Sequence, residues 1–112
     1  MHERKDLTDL IVSLKKQKKG IWKRTAEILG KPRRRRVEVN LSKIEKYALD
    51  GSTVLIPGKV LGSGRITRKL TIAAFSVSEG AKKAIAESGS TLITIGELAE
   101  KNPEGKSVVI LV

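Results

Sequence analysis

The sequence has no cysteine, which removes disulfides and thiolate metal sites from consideration and suits a reducing compartment. Its single histidine is His2, so a nucleophile would find no imidazole base within the body of the chain. Aromatic residues are just as scarce. Trp22, Tyr47 and Phe75 are the whole set, too few for a sheet or groove that reads single strands by stacking bases. No apolar run approaches the ~20 residues of a membrane span, and the Lys-rich start lacks an apolar signal core. The expectation is a soluble, cytoplasmic protein of one unit with no membrane partner, no small-molecule substrate and no cofactor, monomeric when isolated.

Acidic residues are also in short supply. The chain has 23 Lys and Arg against 12 Asp and Glu, a net charge of +11 over 112 residues. Residues 1–36 hold 13 cations and 4 acids, net +9; residues 37–112 hold 10 and 8, net +2. The division predicts a basic helical N-terminal segment, residues 1–36, and a compact body, residues 37–112. At the junction stands Lys31-Pro32-Arg33-Arg34-Arg35-Arg36. Adjacent guanidinium groups repel, and a polyanion relieves the repulsion; a solvated charge run or basic linker is the plainer alternative. Pro32 stops any helix arriving from Gly30 and favours an extended chain.

Leu7, Leu10, Ile11 and Leu14 share one helical stripe, predicting a helix from about Asp6 to Lys18 with Lys15, Lys16, Lys18 and Lys19 crowding its last turn. Gly20 releases the chain into a second helix, ending at Gly30, with Trp22 as a core anchor and Lys23 and Arg24 on its outer side. Asn40 is placed to cap a third helix that ends near Asp50-Gly51, with Val39 and Ile44 as a hydrophobic staple. Thr53 to Ile56 reads as a strand, Pro57-Gly58 as a turn and Lys59 to Leu61 as a second strand. Leu70 to Val77 is a strand buried on both faces. Ser78 caps a helix closed by Gly89, Thr91 to Ile93 is a strand, Thr94 and Glu97 form a capping box, and Val108 to Val112 is a terminal strand. The class is α/β, with the basic helices riding on a mixed body.

Gly58-Lys59-Val60-Leu61-Gly62-Ser63-Gly64 is not a phosphate-binding nucleotide loop, because Arg65-Ile66 stands where Lys and Ser or Thr are needed. The glycines instead permit close approach of another backbone. With Lys59, Arg65, Arg68 and Lys69 nearby, that neighbour is a phosphodiester or, in the plainer reading, the protein's own hairpin. Backbone recognition of a folded RNA or duplex is the chemistry that remains. A helix-turn-helix DNA regulator around Gly20 is the alternative, weakened by the lack of Asn or Gln on the second helix.

Three stretches together resemble the archaeal and eukaryotic large-subunit ribosomal protein family numbered eighteen in the eukaryote-type series. They are Lys31-Pro32-Arg33-Arg34 with Val39-Asn40-Leu41 and Ile44; Val54 and Ile56 to Leu61 with Gly62 and Gly64; and Asn102-Pro103-Glu104-Gly105. The middle of the chain is also similar to the bacterial large-subunit protein numbered fifteen, but Ser90 stands where that relative has a second glycine. The resemblance implies an irregular superhelix of strand-strand-helix units that binds ribosomal RNA and neighbouring ribosomal proteins. By the same resemblance Lys31, Arg33, Arg34, Lys59, Gly62, Ser63 and Gly64 contact RNA. Charge alone adds Arg35 and Arg36, Lys15, Lys16, Lys18, Lys19, Lys23, Arg24, Arg65, Arg68 and Lys69.

Overall fold

The computed structural model describes residues 4–32 and 37–112, so Arg33, Arg34, Arg35 and Arg36 lie outside the described residues. The order is α1 (Arg4–Lys15), α2 (Gly20–Leu29), β1 (Val37–Asn40), α3 (Leu41–Tyr47), β2 (Thr53–Leu61), β3 (Thr71–Val77), α4 (Glu79–Glu87), β4 (Thr91–Thr94), α5 (Ile95–Lys101) and β5 (Val108–Ile110). The class is α/β, as the sequence predicts.

Among the described residues every strand pairing is parallel, and β2 is the hub. Along one side it pairs with β5 at Thr53 to Leu55 and with β1 at Gly58 to Leu61, end to end; β3 lies along its other side and β4 beyond. A strand bonded on both sides and covered on both faces must be apolar nearly throughout, and only Lys59 of β2 is exposed. Side chains alternate between two cores. Val54, Ile56, Ile72 and Ala74 point to α3 and α4; Leu55 and Ala73 point to Leu14, Trp22, Ala26 and Leu29 of α1 and α2 and to Ile95 and Leu98 of α5. The basic helices are thus two of the three helices in one layer of an α/β/α sandwich.

The structure corrects several local expectations. Pro57-Gly58 is no turn: β2 runs unbroken, and the ladder to β3 slips in register between Ile56 and Lys59. A slip is where a strand tolerates proline, since no ladder bond there needs its missing N–H. Val37–Asn40 is a strand that the sequence reading did not separate from the helix after it. Asn40 stands at the start of α3, but its side chain makes no capping bond. That helix stops at Tyr47, short of Asp50-Gly51, because the carbonyls at its end are taken by another side chain, described below. α1 ends at Lys15, short of the expected Lys18, and Gly20 is the first residue of α2. The caps farther on stand as read: Ser78 Oγ accepts from Ala81 N–H at 3.3 Å, and Thr94 and Glu97 form a reciprocal box.

Candidate nucleic-acid interface

Because β1 to β4 are parallel, their last residues face one end of the sheet, and β2 alone separates the two ends by roughly 30 Å at ~3.3 Å per residue. Of the cations predicted from sequence, Lys59 and Arg65 stand toward the carboxyl end, Lys15, Lys16, Lys18 and Lys19 toward the amino end, and Lys23, Arg24 and Lys31 follow along and beyond α2. At the carboxyl end Lys59 is exposed on β2, with Glu38 of β1 and Ser76 of β3 as its cross-strand neighbours. Residues 62–64 follow, all exposed, then exposed Arg65.

The glycine loop has its close backbone neighbours within the protein. Ser63 O accepts from Ser42 N–H at 3.1 Å, and a Cβ on Gly64, whose φ is +102°, would lie 2.6 Å from the Ser42 nitrogen. A Cβ on Gly62 would lie 3.2 Å from the Ala81 nitrogen. The glycines therefore let the loop nest between the first turns of α3 and α4. The close approach these glycines permit is to α3 and α4 and not within a hairpin, because β2 and β3 run parallel.

At the amino end, only Lys15 belongs to the last turn of α1; Lys16, Lys18 and Lys19 occupy the turn leading into α2. The helix dipole accounts for one lysine of the four. Lys19 reaches Glu104 at 3.3 Å, and Trp22 Nε1 donates to Pro103 O at 2.9 Å, so the turn is tied to the 102–105 loop. Lys23 and Arg24 are exposed on α2, and Lys31 is exposed just beyond it.

Arg68 is the exception among the predicted contacts. It is half-buried, and its guanidinium donates to Ala48 O at 2.7 Å and also to Glu45 O, closing the carbonyl end of α3. It acts first as a helix cap. Lys69 N–H donates to Asp50 Oδ1 at 3.0 Å, while the Lys69 stem lies across Gly89. Among the described residues two cations pair with an acid within 4 Å: Lys19, and Lys82 with Glu79 at 3.9 Å. The sequence reading passed over Lys43, Lys46, Lys82 and Lys83, all exposed on α3 and α4. The stripes Leu41, Ile44, Ala48 and Ala81, Ile85 already implied that those lysines face outward.

The Glu45 carboxyl is held away from its ordinary pKa by its neighbours. The Thr67 hydroxyl and then the Thr67 N–H donate to its carboxylate and, with Arg68 alongside, hold its pKa below the ordinary glutamate range. A depressed pKa gives stability that is present above the unfolded glutamate value and is lost as pH falls through the folded one. In Thr67→Val the Glu45 carboxyl is expected to titrate at higher pH, approaching the ordinary value, when followed by carbon-detected NMR; an unchanged midpoint would contradict the clamp.

Among the described residues no group of three or more His, Asp or Glu could hold a metal, and no helix is long and apolar enough to cross a membrane. The sequence profile of the family described as ribosomal protein 60S L18 and 50S L18e matches residues 13–112. The chain belongs to that family. Large ribosomal subunit protein eL18 of Methanococcus maripaludis is 50% identical over 107 residues, covering 92% of this chain and 89% of the relative. The protein of the same name from Archaeoglobus fulgidus is 48% identical over 107 residues, covering 95% and 92%. That of Thermoplasma acidophilum is 43% identical over 91 residues, covering 81% and 76%. Membership of the L18 and L18e family makes the chain a structural constituent of the large ribosomal subunit, located in the ribosome, and not an enzyme. The DNA-regulator alternative falls with it. In the fold, α2 has Trp22, Thr25, Ala26, Ile28 and Leu29 buried, and exposed Glu27 shares its outer surface with Lys23 and Arg24.

Proposed function

We propose that this member of the family holds ribosomal RNA by its phosphates at both ends of the sheet, and so compacts segments that would otherwise repel one another. The supporting observation is that exposed cations stand toward both ends of the sheet, Lys59 and Arg65 toward one and Lys15, Lys16, Lys18 and Lys19 toward the other, of which Lys19 pairs with an acid. At a screening length of about 10 Å, groups roughly 30 Å apart act independently, which suits separate RNA segments better than one. The arginines at 33–36 add planar forks that can bridge phosphate oxygens bidentately. The partners are large-subunit ribosomal RNA and neighbouring ribosomal proteins, and the isolated chain is a monomer.

The test is the salt dependence of binding to transcribed large-subunit ribosomal RNA. With roughly eight phosphates neutralised, the logarithm of affinity falls against log salt with a slope of about −6 to −7. Replacing Arg33, Arg34, Arg35 and Arg36 by Ala is expected to flatten that slope by about 3, leaving the thermal midpoint almost unmoved. A shallow slope in the parent chain would overturn the proposal. So would preferential recovery of duplex DNA in crosslinking and sequencing.

A further inference from the structure

The end of α3 holds large apolar side chains in water on a frame that is anything but loose. Tyr47 is 54% exposed and Leu49 is 77% exposed. The backbone that carries them is bonded from several sides. Arg68 takes the carbonyls of Glu45 and Ala48; Ser52 N–H and Oγ donate to Leu49 O at 3.0 and 2.6 Å; Gly51 N–H donates to Lys69 O at 2.9 Å. A flexible turn could fold these side chains away, whereas this one presents them.

What surrounds the ring indicates the occupant. Lys46 Nζ lies 5.4 Å from the centre of the Tyr47 ring, over one face. Lys43 precedes Tyr47 by one helical turn, on the side opposite buried Leu41, Ile44 and Ala48, and donates to Val112 O. The acids beside the ring in sequence are both occupied: Glu45 accepts from Thr67, and Asp50 from Lys69 N–H. Tyr47 is therefore an exposed ring with the Lys46 ammonium over one face, while Lys43 is bonded to Val112 O and the Glu45 and Asp50 carboxylates accept hydrogen bonds from Thr67 and Lys69 N–H.

We propose that Tyr47 is a stacking platform for one unpaired base of ribosomal RNA, with Lys46 on the phosphate beside it. A base offers a π-face to the ring and an anion to the ammonium, so both features are used together. An apolar protein surface would use the ring but would have to strip water from Lys46 without return. The inference rests on the RNA-binding reading above and gives that reading a base-facing contact to add to its phosphate contacts.

Two measurements test it. Large subunits containing the chain are irradiated with ultraviolet light and digested, and the peptide bearing Tyr47 is weighed. A nucleotide adduct on Tyr47 is expected; a crosslink to a ribosomal protein at this residue, or no adduct, overturns the platform. In parallel, Tyr47→Ala is expected to weaken binding of the chain to transcribed large-subunit ribosomal RNA about tenfold with no change in salt slope, because no charge is lost. Tyr47→Phe should bind as the parent does, and Lys46→Gln should lower the slope by about 0.7 to 0.9. Thermal midpoints of the Tyr47 variants should match the parent, since the ring lies outside both cores. Parental affinity in Tyr47→Ala with a steep slope retained would refute the platform alone; loss of the slope in the parent chain would refute both readings.

Discussion

Gly58→Ala is expected to cost about 3 kcal/mol, at the top of the range for overpacking, with the loss concentrated at the β1 edge of the sheet. A methyl group at this position would lie 2.1 Å from Val37 O and 2.8 Å from Val37 Cβ on the paired strand. The obstacle is main chain on a neighbouring strand, so no side-chain rotation relieves it. Either β1 moves away and loses its pairing with Gly58 to Leu61, or β2 distorts at the slip already present beside Pro57. Gly20 and Gly80 supply the controls. A Cβ at either meets nothing within 4 Å, and both stand at the start of helices. Alanine at these two positions is expected to stabilise by about 0.5 kcal/mol through the unfolded chain. Urea unfolding followed by circular dichroism would separate the cases, and equal midpoints for Gly58→Ala and Gly80→Ala would defeat the steric account.

The same glycine shows how far the sequence could be read. Pro57-Gly58 carries strong turn chemistry, and locally a turn is the better reading. What overrides it is pairing on two sides, with β1, which begins 21 residues earlier, and with β3, whose pairing resumes at Ser76. Neither partner is visible in a local window. β1 itself was missed for a related reason, because Val37–Asn40 is short and runs directly into α3, so its valines read as the approach to a cap. Features closed within a few residues fared better. Ser78 with Ala81, and Thr94 with Glu97, need only their own helix turns.

At the interface the limit is of another kind. Among the described residues, the predicted cations other than Arg68 are exposed, as composition and charge imply, yet nothing in the sequence says that Arg68 spends its guanidinium on the carbonyls of α3, since main-chain acceptors leave no mark in the residue types around it. The loop glycines announced a close backbone approach, and only the fold identified the partners as Ser42 and Ala81. That Lys59 and Arg65 stand far from the Lys15 to Lys19 turn follows from the parallel sheet between them, which no single motif encodes.

Trp22→Ala is expected to cost about 4 kcal/mol, and Trp22→Phe about 2 kcal/mol. The residue is 0% exposed in the core shared by α1, α2, α5 and the sheet, so truncation to alanine opens a cavity that the parallel strands cannot close. Phenylalanine fills most of the space but removes the Nε1–H, leaving Pro103 O without its 2.9 Å donor. The chain has one tryptophan, so unfolding must be followed by far-ultraviolet circular dichroism and not by emission. The pair also separates a structural role for this ring from the role proposed for Tyr47. Trp22→Phe should lower the unfolding midpoint and leave the salt slope for ribosomal RNA unchanged, because Lys19 and its neighbours keep their charges. Tyr47→Ala should do the reverse to affinity and midpoint. If Trp22→Phe weakened RNA binding tenfold at an unchanged midpoint, the indole would have to face the nucleic acid, and the burial that ties α2 to the 102–105 loop would be refuted.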